Sequence, residues 1–301
     1  MMTNKQMQII YNPKSGGLHG GTKTIEKLVA ALRAHGLTIE DAQVKATSAS
    51  GDATRLAQEA IAQKIEVLIA CGGDGTINET AQALVGTSTA LAILPSGTAN
   101  VLAKEMRLPR RPEELAKLIA AGRTREISVG LATKPGENWQ RYFLLMAGIG
   151  LDAMIIATVN PALKKKFGLG AYVAAGLKTL AEWRLKPFSL DFKQQKRTAT
   201  FAIIANAANY AAWFRIAPHA NMESDHLDIC IFNSRSRLVY LSYAFLSLFG
   251  THTISPQVIY EPITETYVSS AQETPVQLDG ELVGHLPMKF ACVPHALRIV
   301  A

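Results

Sequence analysis

The chain has 301 residues, 48% hydrophobic and 18% charged, with a formal net charge of +7. That balance excludes a disordered chain and allows a sizeable core, enough for two domains. No apolar run reaches the roughly 20 residues that cross a bilayer; the nearest, LVYLSYAFLSLF at 238–249, is short and carries hydroxyls.

The start, MMTNKQMQII, has neither a long apolar core nor a small-residue cleavage site, so no signal peptide is expected. QMQIIY (6–11) reads as a short strand ending at NPKSGG. Over 22–35, Ile25, Leu28, Val29 and Leu32 keep helical spacing. A second strand ends near Val44-Lys45-Ala46-Thr47, and Ser50 is placed to cap a helix running to about Lys64. A strand over 65–70 leads into CGGDGTINE, then a helix from about Ile77 to Val85. LAILP (91–95) leads into SGTAN and another helix. RPEELAKLIAAG (111–122) is a full helix signature: Pro112 in the first turn, Glu113 and Glu114 opposing the dipole, Gly122 as the stop. This alternation predicts a parallel sheet with helices on both faces.

Beyond about residue 126 short strands dominate: REISVGLAT, RYFLLMAG, SLDFK, ATFAIIAN, LDICIF, TPVQLDG and KFACV. Period-two segments between turn residues predict an antiparallel sheet or sandwich. Two helices interrupt it, over 168–185 and near 237–250. Residues 160–200 hold nine basic side chains, including Lys164, Lys165 and Lys166, and two acidic ones, an excess equal to the whole net charge. Such a segment suits an anionic membrane surface or simply a solvated face. Basic charge alone would also suit nucleic acid, but no recognised nucleic-acid module is present. Cys71, Cys230 and Cys292 are widely spaced and read as free thiols of a reducing compartment, with Cys71 in the core. The histidines at 19, 35, 219, 252, 285 and 295 form no metal-binding spacing.

Three loops rich in glycine and hydroxyls, NPKSGG (12–17), GGDGT (72–76) and PSGTAN (95–100), each follow a predicted strand. They would meet at the carboxyl edge of an open sheet, where such sheets bind ligands. Glycine lets backbone amides approach an anion, and a following helix adds its free amides and positive end. The pattern is neither GxGxxG nor a P-loop. Asp74 among Gly72, Gly73 and Gly75 would repel phosphate without Mg²⁺ between them, which points to a metal–nucleotide site. Lys14 offers a point charge; Ser15, Thr76 and Thr98 offer hydroxyls. Asp279-Gly280-Glu281 reads as a hairpin turn, a rigid place to hold a carboxylate.

NPKSGG, GGDGTINE, LPSGTAN, APHANMESDHLDI (217–229) and VQLDGEL (276–282) together resemble the lipid kinases with a diacylglycerol-kinase catalytic domain, including the YegS-like lipid kinases. GGDG alone is shared with NAD kinases and phosphofructokinases. The resemblance implies an N-terminal α/β nucleotide-binding domain, an open parallel sheet of NAD-kinase-like type over 1–126, with about 296–301 returning to it. It implies a C-terminal antiparallel β-sandwich over 127–295 with a helical insertion near 160–185, and an active site in the cleft. It implies ATP contacts at Asn12, Pro13, Lys14, Ser15, Gly16, Thr47, Gly72, Gly73, Asp74, Gly75, Thr76, Ile77, Asn78 and Thr98. It further implies Mg²⁺ held by Asp225 with the carbonyls of Met222 and Leu227, and Glu281 as catalytic base with Asp279 orienting it or sharing the metal. The family commonly has Asn-Asp where Asn100-Val101 stands, paired glycines near Ala211-Ala212, and a glycine where His226 stands.

The expectation is therefore an ATP- and Mg²⁺-dependent kinase for the hydroxyl of diacylglycerol or a related lipid. It would be cytoplasmic, attached peripherally to the inner membrane face, without nucleic acid, and compatible with a homodimer. A kinase for a soluble acceptor such as NAD and a non-catalytic lipid- or nucleotide-binding protein are the alternatives.

Overall fold

The structure is a computed structural model that describes residues 6–15, 22–159, 169–182, 186–210, 214–234 and 236–301. The chain divides into two compact units: Met1–Ile127 with His295–Ala301, and Ser128–Pro294.

In the first unit, β1 (Met7–Tyr11), β2 (Val44–Ala46), β3 (Val67–Gly72) and β4 (Ala90–Pro95) form a parallel sheet in the order β2-β1-β3-β4. The strands β3 and β4 are buried along their whole length, as parallel strands covered on both faces must be. One face of the sheet, with Met7, Ile9, Ile69, Ala92 and Leu94, packs on α1 (Thr22–Ala34) and α5 (Pro112–Ala121). On the other face Gln8 reaches the Leu56 carbonyl of α2 (Asp52–Ala62), which packs beside α3 (Asp74–Leu84). The fifth helix ends as its sequence predicts, with Pro112 in the first turn and Gly122 left-handed at the stop. For α2 the expectation fails: Gly51 is the N-cap, and the Ser50 hydroxyl instead meets Glu79. The last strand, β16 (Met288–Val300), lies parallel to β4 through Ile299 and Leu91.

The second unit is a pair of sheets. One is antiparallel, in the order β12 (Val258–Ile263), β11 (Leu227–Phe232), β10 (Phe201–Ala205), β7 (Met146–Gly150), β14 (Pro275–Leu278) and β15 (Glu281–His285). The other runs from β9 (Gln195–Ala199) through β8 (Phe188–Phe192) and β13 (Glu265–Ser269) to the first residues of β16. The strand β5 (Thr124–Thr133) pairs with β16 and with β6 (Gln140–Phe143). Ile149, Ile204, Ile229 and Ile231 from the first sheet share one core with Leu190, Val268, Met288 and Phe290 from the second. This is a β-sandwich, period-two burial on facing sheets.

RYFLLMAG, which reads as one strand, is two: β6 stops at Phe143 and β7 starts at Met146, because the amides between them serve a side chain described below. Among the described residues three α-helices attach to this unit: α6 (Leu151–Thr158), α7 (Leu169–Glu182) and α8 (Arg237–Ser247). The sixth helix is absent from the sequence reading; it packs on α7 through Thr158 and Thr179, whose hydroxyls are 2.8 Å apart. Lys164, Lys165, Lys166 and most of the expected helical insertion before Leu169 lie outside the described residues. Cys71 and Cys230 are buried and free, and burial pushes both thiols up, so they stay protonated.

Phe143 is fully buried in the sandwich core, its ring edge-on to that of Phe290 at 6.5 Å. Phe143→Ala should cost about 3–5 kcal/mol, read as a lower urea midpoint with an unchanged slope.

Candidate functional site

The sheet register brings the first unit's loops together. Tyr11 pairs with Ala46 on one side and Cys71 on the other, and Gly72 pairs with Pro95. Asn12, Thr47, Gly73 and Ser96 therefore leave the sheet at one carboxyl edge. Backbone bonds continue past the strand ends: the Asn12 amide donates to the Cys71 carbonyl at 3.0 Å, Thr47 to Tyr11 at 2.9 Å, and Ser96 to Gly72 at 2.8 Å.

Within the first loop the Asn12 side chain accepts the Lys14 amide at 2.9 Å, and its carbonyl accepts the Ser15 amide at 3.1 Å. This tight turn leaves Pro13 and Lys14 exposed. The Ser15 and Ser96 hydroxyls are 2.7 Å apart and tie the first loop to the third. Gly16 lies outside the described residues. The second and third loops touch backbone to backbone. A Cβ on Gly97 would lie 2.6 Å from Cα of Gly73, and one on Gly72 would lie 2.5 Å from Cβ of Thr76. Both positions need glycine because nothing larger fits.

The helix α3 starts at Asp74, three residues earlier than the sequence suggests, with Gly73 as N-cap. Gly75 is thus a first-turn residue, while Thr76, Ile77 and Asn78 turn inward and are buried. Of this segment only the backbone and Asp74 and Gly75 reach the loop surface; Thr98 is exposed on the third loop.

Asp74 does not stand alone. Its carboxylate accepts the Val101 amide at 2.8 Å, and the amides of Leu102 and Asn100 also bond to it. It caps the short helix α4 (Val101–Glu105), and burial pushes its carboxyl up against the opposing pull of those amides. Asn100 sits left-handed at φ 47°, held by its own side chain on the Gly97 amide (2.9 Å) and carbonyl (2.7 Å). Because Val101 contributes a backbone amide, the side chain at that position does not affect the cap. The second acid of GGDGTINE does similar work: Glu79 accepts the Ala53 amide of α2 at 3.3 Å. Beside Thr47, Asp52 accepts the Ser48 amide (2.8 Å) and hydroxyl (2.5 Å) and the Ala49 amide (3.1 Å), which hold its carboxyl well below the usual range.

In the second unit, Asp279 (φ 48°) and Gly280 (φ 89°) form the tight turn between β14 and β15. The Asp279 carboxylate accepts the amides of Leu144 (2.6 Å), Leu145 (2.9 Å) and Met146 (2.9 Å), the break between β6 and β7. Its oxygens fix the hairpin to the sandwich. Glu281, two residues on, is half exposed and forms an ion pair with Arg141 of β6.

Behind the hairpin lies a buried chain that the sequence reading missed. The Gly280 amide donates to Gln277 Oε1 at 2.7 Å, and Gln277 Nε2 donates to Asp152 Oδ2 at 2.6 Å. The Tyr210 hydroxyl donates to the other Asp152 oxygen. Gly148 makes room for that carboxylate: a Cβ there would fall 1.8 Å from it. Burial raises the Asp152 pKa to about 6, moderated by the Tyr210 and Gln277 hydrogen bonds. An aspartate inside the apolar run AGIGLDAMIIA is the signal that could have revealed it.

The 222–227 loop is closed by protein contacts. The Met222 carbonyl accepts the Ser128 amide at 2.7 Å, and the Ser224 carbonyl accepts the Ser128 hydroxyl at 2.5 Å. Asp225 is largely exposed and faces the His226 ring at 3.2 Å. Met222, Asp225 and Leu227 offer the hard oxygens Mg²⁺ prefers; the Met222 carbonyl keeps a second lone pair beside the Ser128 amide, and one Asp225 oxygen faces imidazole. Among the described residues no three His, Cys, Asp or Glu side chains cluster for a metal. Ala211 and Ala212 lie outside the described residues.

Asp152 gives a sign-definite pH dependence. Its folded pKa, about 6, lies above the ordinary 3.8, so the folded state holds the extra proton between them. Its contribution is complete below 3.8 and is lost as pH rises through 6, a change of about 3 kcal/mol. Unfolding free energies of wild type and Asp152→Asn measured from pH 4 to 7 should therefore show wild type losing ground to the variant as pH rises.

Comparison with known proteins agrees with both halves. The diacylglycerol kinase catalytic domain model matches residues 6–132, and the YegS C-terminal NAD kinase β-sandwich-like domain model matches 146–301. A diacylglycerol kinase of Bacillus subtilis is 27% identical over 98% of this chain and 96% of its own length. One of Staphylococcus haemolyticus is 27% identical over 95% of this chain and 85% of its own. A crystal structure of a diacylglycerol kinase from Bacillus anthracis aligns with a TM-score of 0.74 at 22% identity, over 99% of this chain and 96% of that one, a likeness of fold. With matched segments covering nearly all of both units, the chain belongs to the diacylglycerol kinase catalytic-domain family and carries a YegS-like β-sandwich as its second half.

Proposed function

We propose that this protein is an ATP-dependent lipid kinase that transfers the γ-phosphoryl group of Mg-ATP to a hydroxyl of diacylglycerol or a related lipid. The observation that carries the reading is the meeting of three loops, 12–15, 72–76 and 96–98, at adjacent parallel strand ends, joined by Ser15–Ser96 and by the Gly73–Gly97 contact. Glycine-lined loops and the start of α3 supply amides for phosphate, with Lys14 as a point charge. Asn12, Pro13, Ser15, Thr47, Gly72, Gly73, Gly75 and Thr98 are assigned to the nucleotide, and Ile77 and Asn78 only through their backbone. Mg²⁺ enters as part of the Mg-ATP substrate, where it offsets charge on the β- and γ-phosphates.

Glu281 is assigned as the base. The acceptor oxygen forms a bond to the γ-phosphorus, the bond from that phosphorus to the β,γ-bridging oxygen breaks, ADP leaves, and the acceptor proton passes to the Glu281 carboxylate. Arg141 holds Glu281 in one orientation before substrate arrives. Asp279 is assigned as a positioning residue: with three amides on its oxygens, it keeps the turn that carries Glu281 rigid. No step runs through a cation at Asp225. A lipid acceptor places the enzyme at a membrane surface, and the inner face of the cytoplasmic membrane fits the ATP supply and the free thiols.

Incubation with Mg-ATP and extracted lipids, followed by mass spectrometry, should reveal a phosphorylated glycerolipid; phosphorylation of NAD instead, in a parallel incubation, would reject the lipid acceptor. Glu281→Gln should lower turnover by about 10²–10⁴-fold and leave ATP binding intact. Loss of ATP binding in that variant would remove Glu281 from the role of base. Asp279→Ala should cost about 2–4 kcal/mol in chemical denaturation, since three amides lose a charged partner.

A further inference from the structure

The helix α8 is apolar on both sides. Its inner side, Tyr240, Tyr243 and Ser247, is buried, with Tyr240 bonded to Thr200 and Tyr243 against Phe232. Its outer side carries Leu238, Leu241, Phe245 and Leu248, continued by Phe249 and, past the next turn, Ile254. Among the described residues nine large apolar side chains are exposed, and these six are among them. Leu238 is 76% exposed, Phe245 63%, Phe249 64% and Ile254 80%. The Phe245 and Phe249 rings pack edge-to-face at 5.6 Å, so the stripe has an ordered aromatic centre. Scattered exposed leucines are ordinary, but a contiguous stripe on a helix with a filled inner side marks a surface that another phase or molecule covers.

Charge selects the occupant. No carboxylate occurs between Asp228 and Glu261. Arg237 opens the helix, and Arg215, whose amide donates to the Ser247 carbonyl at 2.8 Å, stands at its other end; both are exposed. A second copy seated on this stripe by a two-fold axis would bring arginine toward arginine, and the stretch 229–260 supplies no carboxylate to set between them. An anionic bilayer answers both features, taking apolar side chains below its headgroups and cations among them.

We propose that the outer face of α8 is a membrane-docking surface, on which Leu238, Leu241, Phe245, Leu248 and Phe249 insert into the interface of an anionic bilayer and Arg215 and Arg237 meet its headgroups. The proposal rests on the lipid-kinase reading for its purpose, and uses residues outside the basic 160–200 segment.

The full chain should co-sediment with vesicles of phosphatidylcholine and phosphatidylglycerol. The triple variant Leu238→Gln, Phe245→Gln, Phe249→Gln should bind them about tenfold more weakly or less. The same variant should still phosphorylate a short-chain diacylglycerol dispersed in detergent. In Phe245→Trp, acyl-chain-brominated lipids should quench emission beyond the wild-type level. Absence of wild-type binding, unchanged affinity of the triple variant, or no added quenching would overturn the proposal. A wild-type dimer that becomes monomeric in the triple variant, with vesicle binding unaltered, would also overturn it and assign the face to a second copy. If the wild type fails on the dispersed lipid, the kinase reading fails, while the vesicle and quenching results still judge the surface.

Discussion

The contact of Gly73 against Gly97 is the constraint on which the first unit's loop cluster depends. Two main chains lie where a single added carbon would sit 2.6 Å from the opposing Cα. That closeness lets Asp74 reach the amides at the start of α4, and it sets Ser96 beside Ser15. The loops therefore form one surface instead of three independent turns. A carboxylate that caps a neighbouring helix is a structural answer to why an acid stands among these glycines. It ties the third loop to the second with charge-assisted bonds.

The second unit uses the same device in another setting. Asp279 gathers three amides across a strand break, and the price is that β6 and β7 cannot be continuous. Behind it, Gln277 faces two ways, accepting from Gly280 and donating to Asp152. The hairpin is thereby held from its side chain, its backbone and its buried rear. Rigidity of this kind would serve the base proposed on this hairpin, which has to meet an acceptor hydroxyl within tenths of an ångström.

Much of this was legible in the residues. The helix over 112–121 carries its start, dipole and stop signals locally, and the parallel strands read as short apolar runs after which loops must emerge on one edge. What could not be read depends on contacts between distant segments. GGDGT looks like a loop because glycines dominate it, yet Gly73 caps a helix that starts at once. RYFLLMAG looks continuous because its interruption is caused by a carboxylate some 130 residues away, Asp279. Asp152 went unread because it hides in an apolar run and its partners, Tyr210 and Gln277, come from other strands and loops. Periodicity reports which face is buried; it does not report who answers a buried charge.

The long strand β16 has a consequence for how the polypeptide acquires its shape. Its first residues hydrogen-bond to β13 and its last lie beside β4, so residues 295–301 complete a sheet whose other strands were made some two hundred residues earlier. During synthesis the ribosome must release the whole sandwich before the flank of β4 finds its neighbour. Until then that flank offers unpaired amides and carbonyls to any passing strand. The nascent first unit is thus exposed to mispairing for the time taken to translate the second.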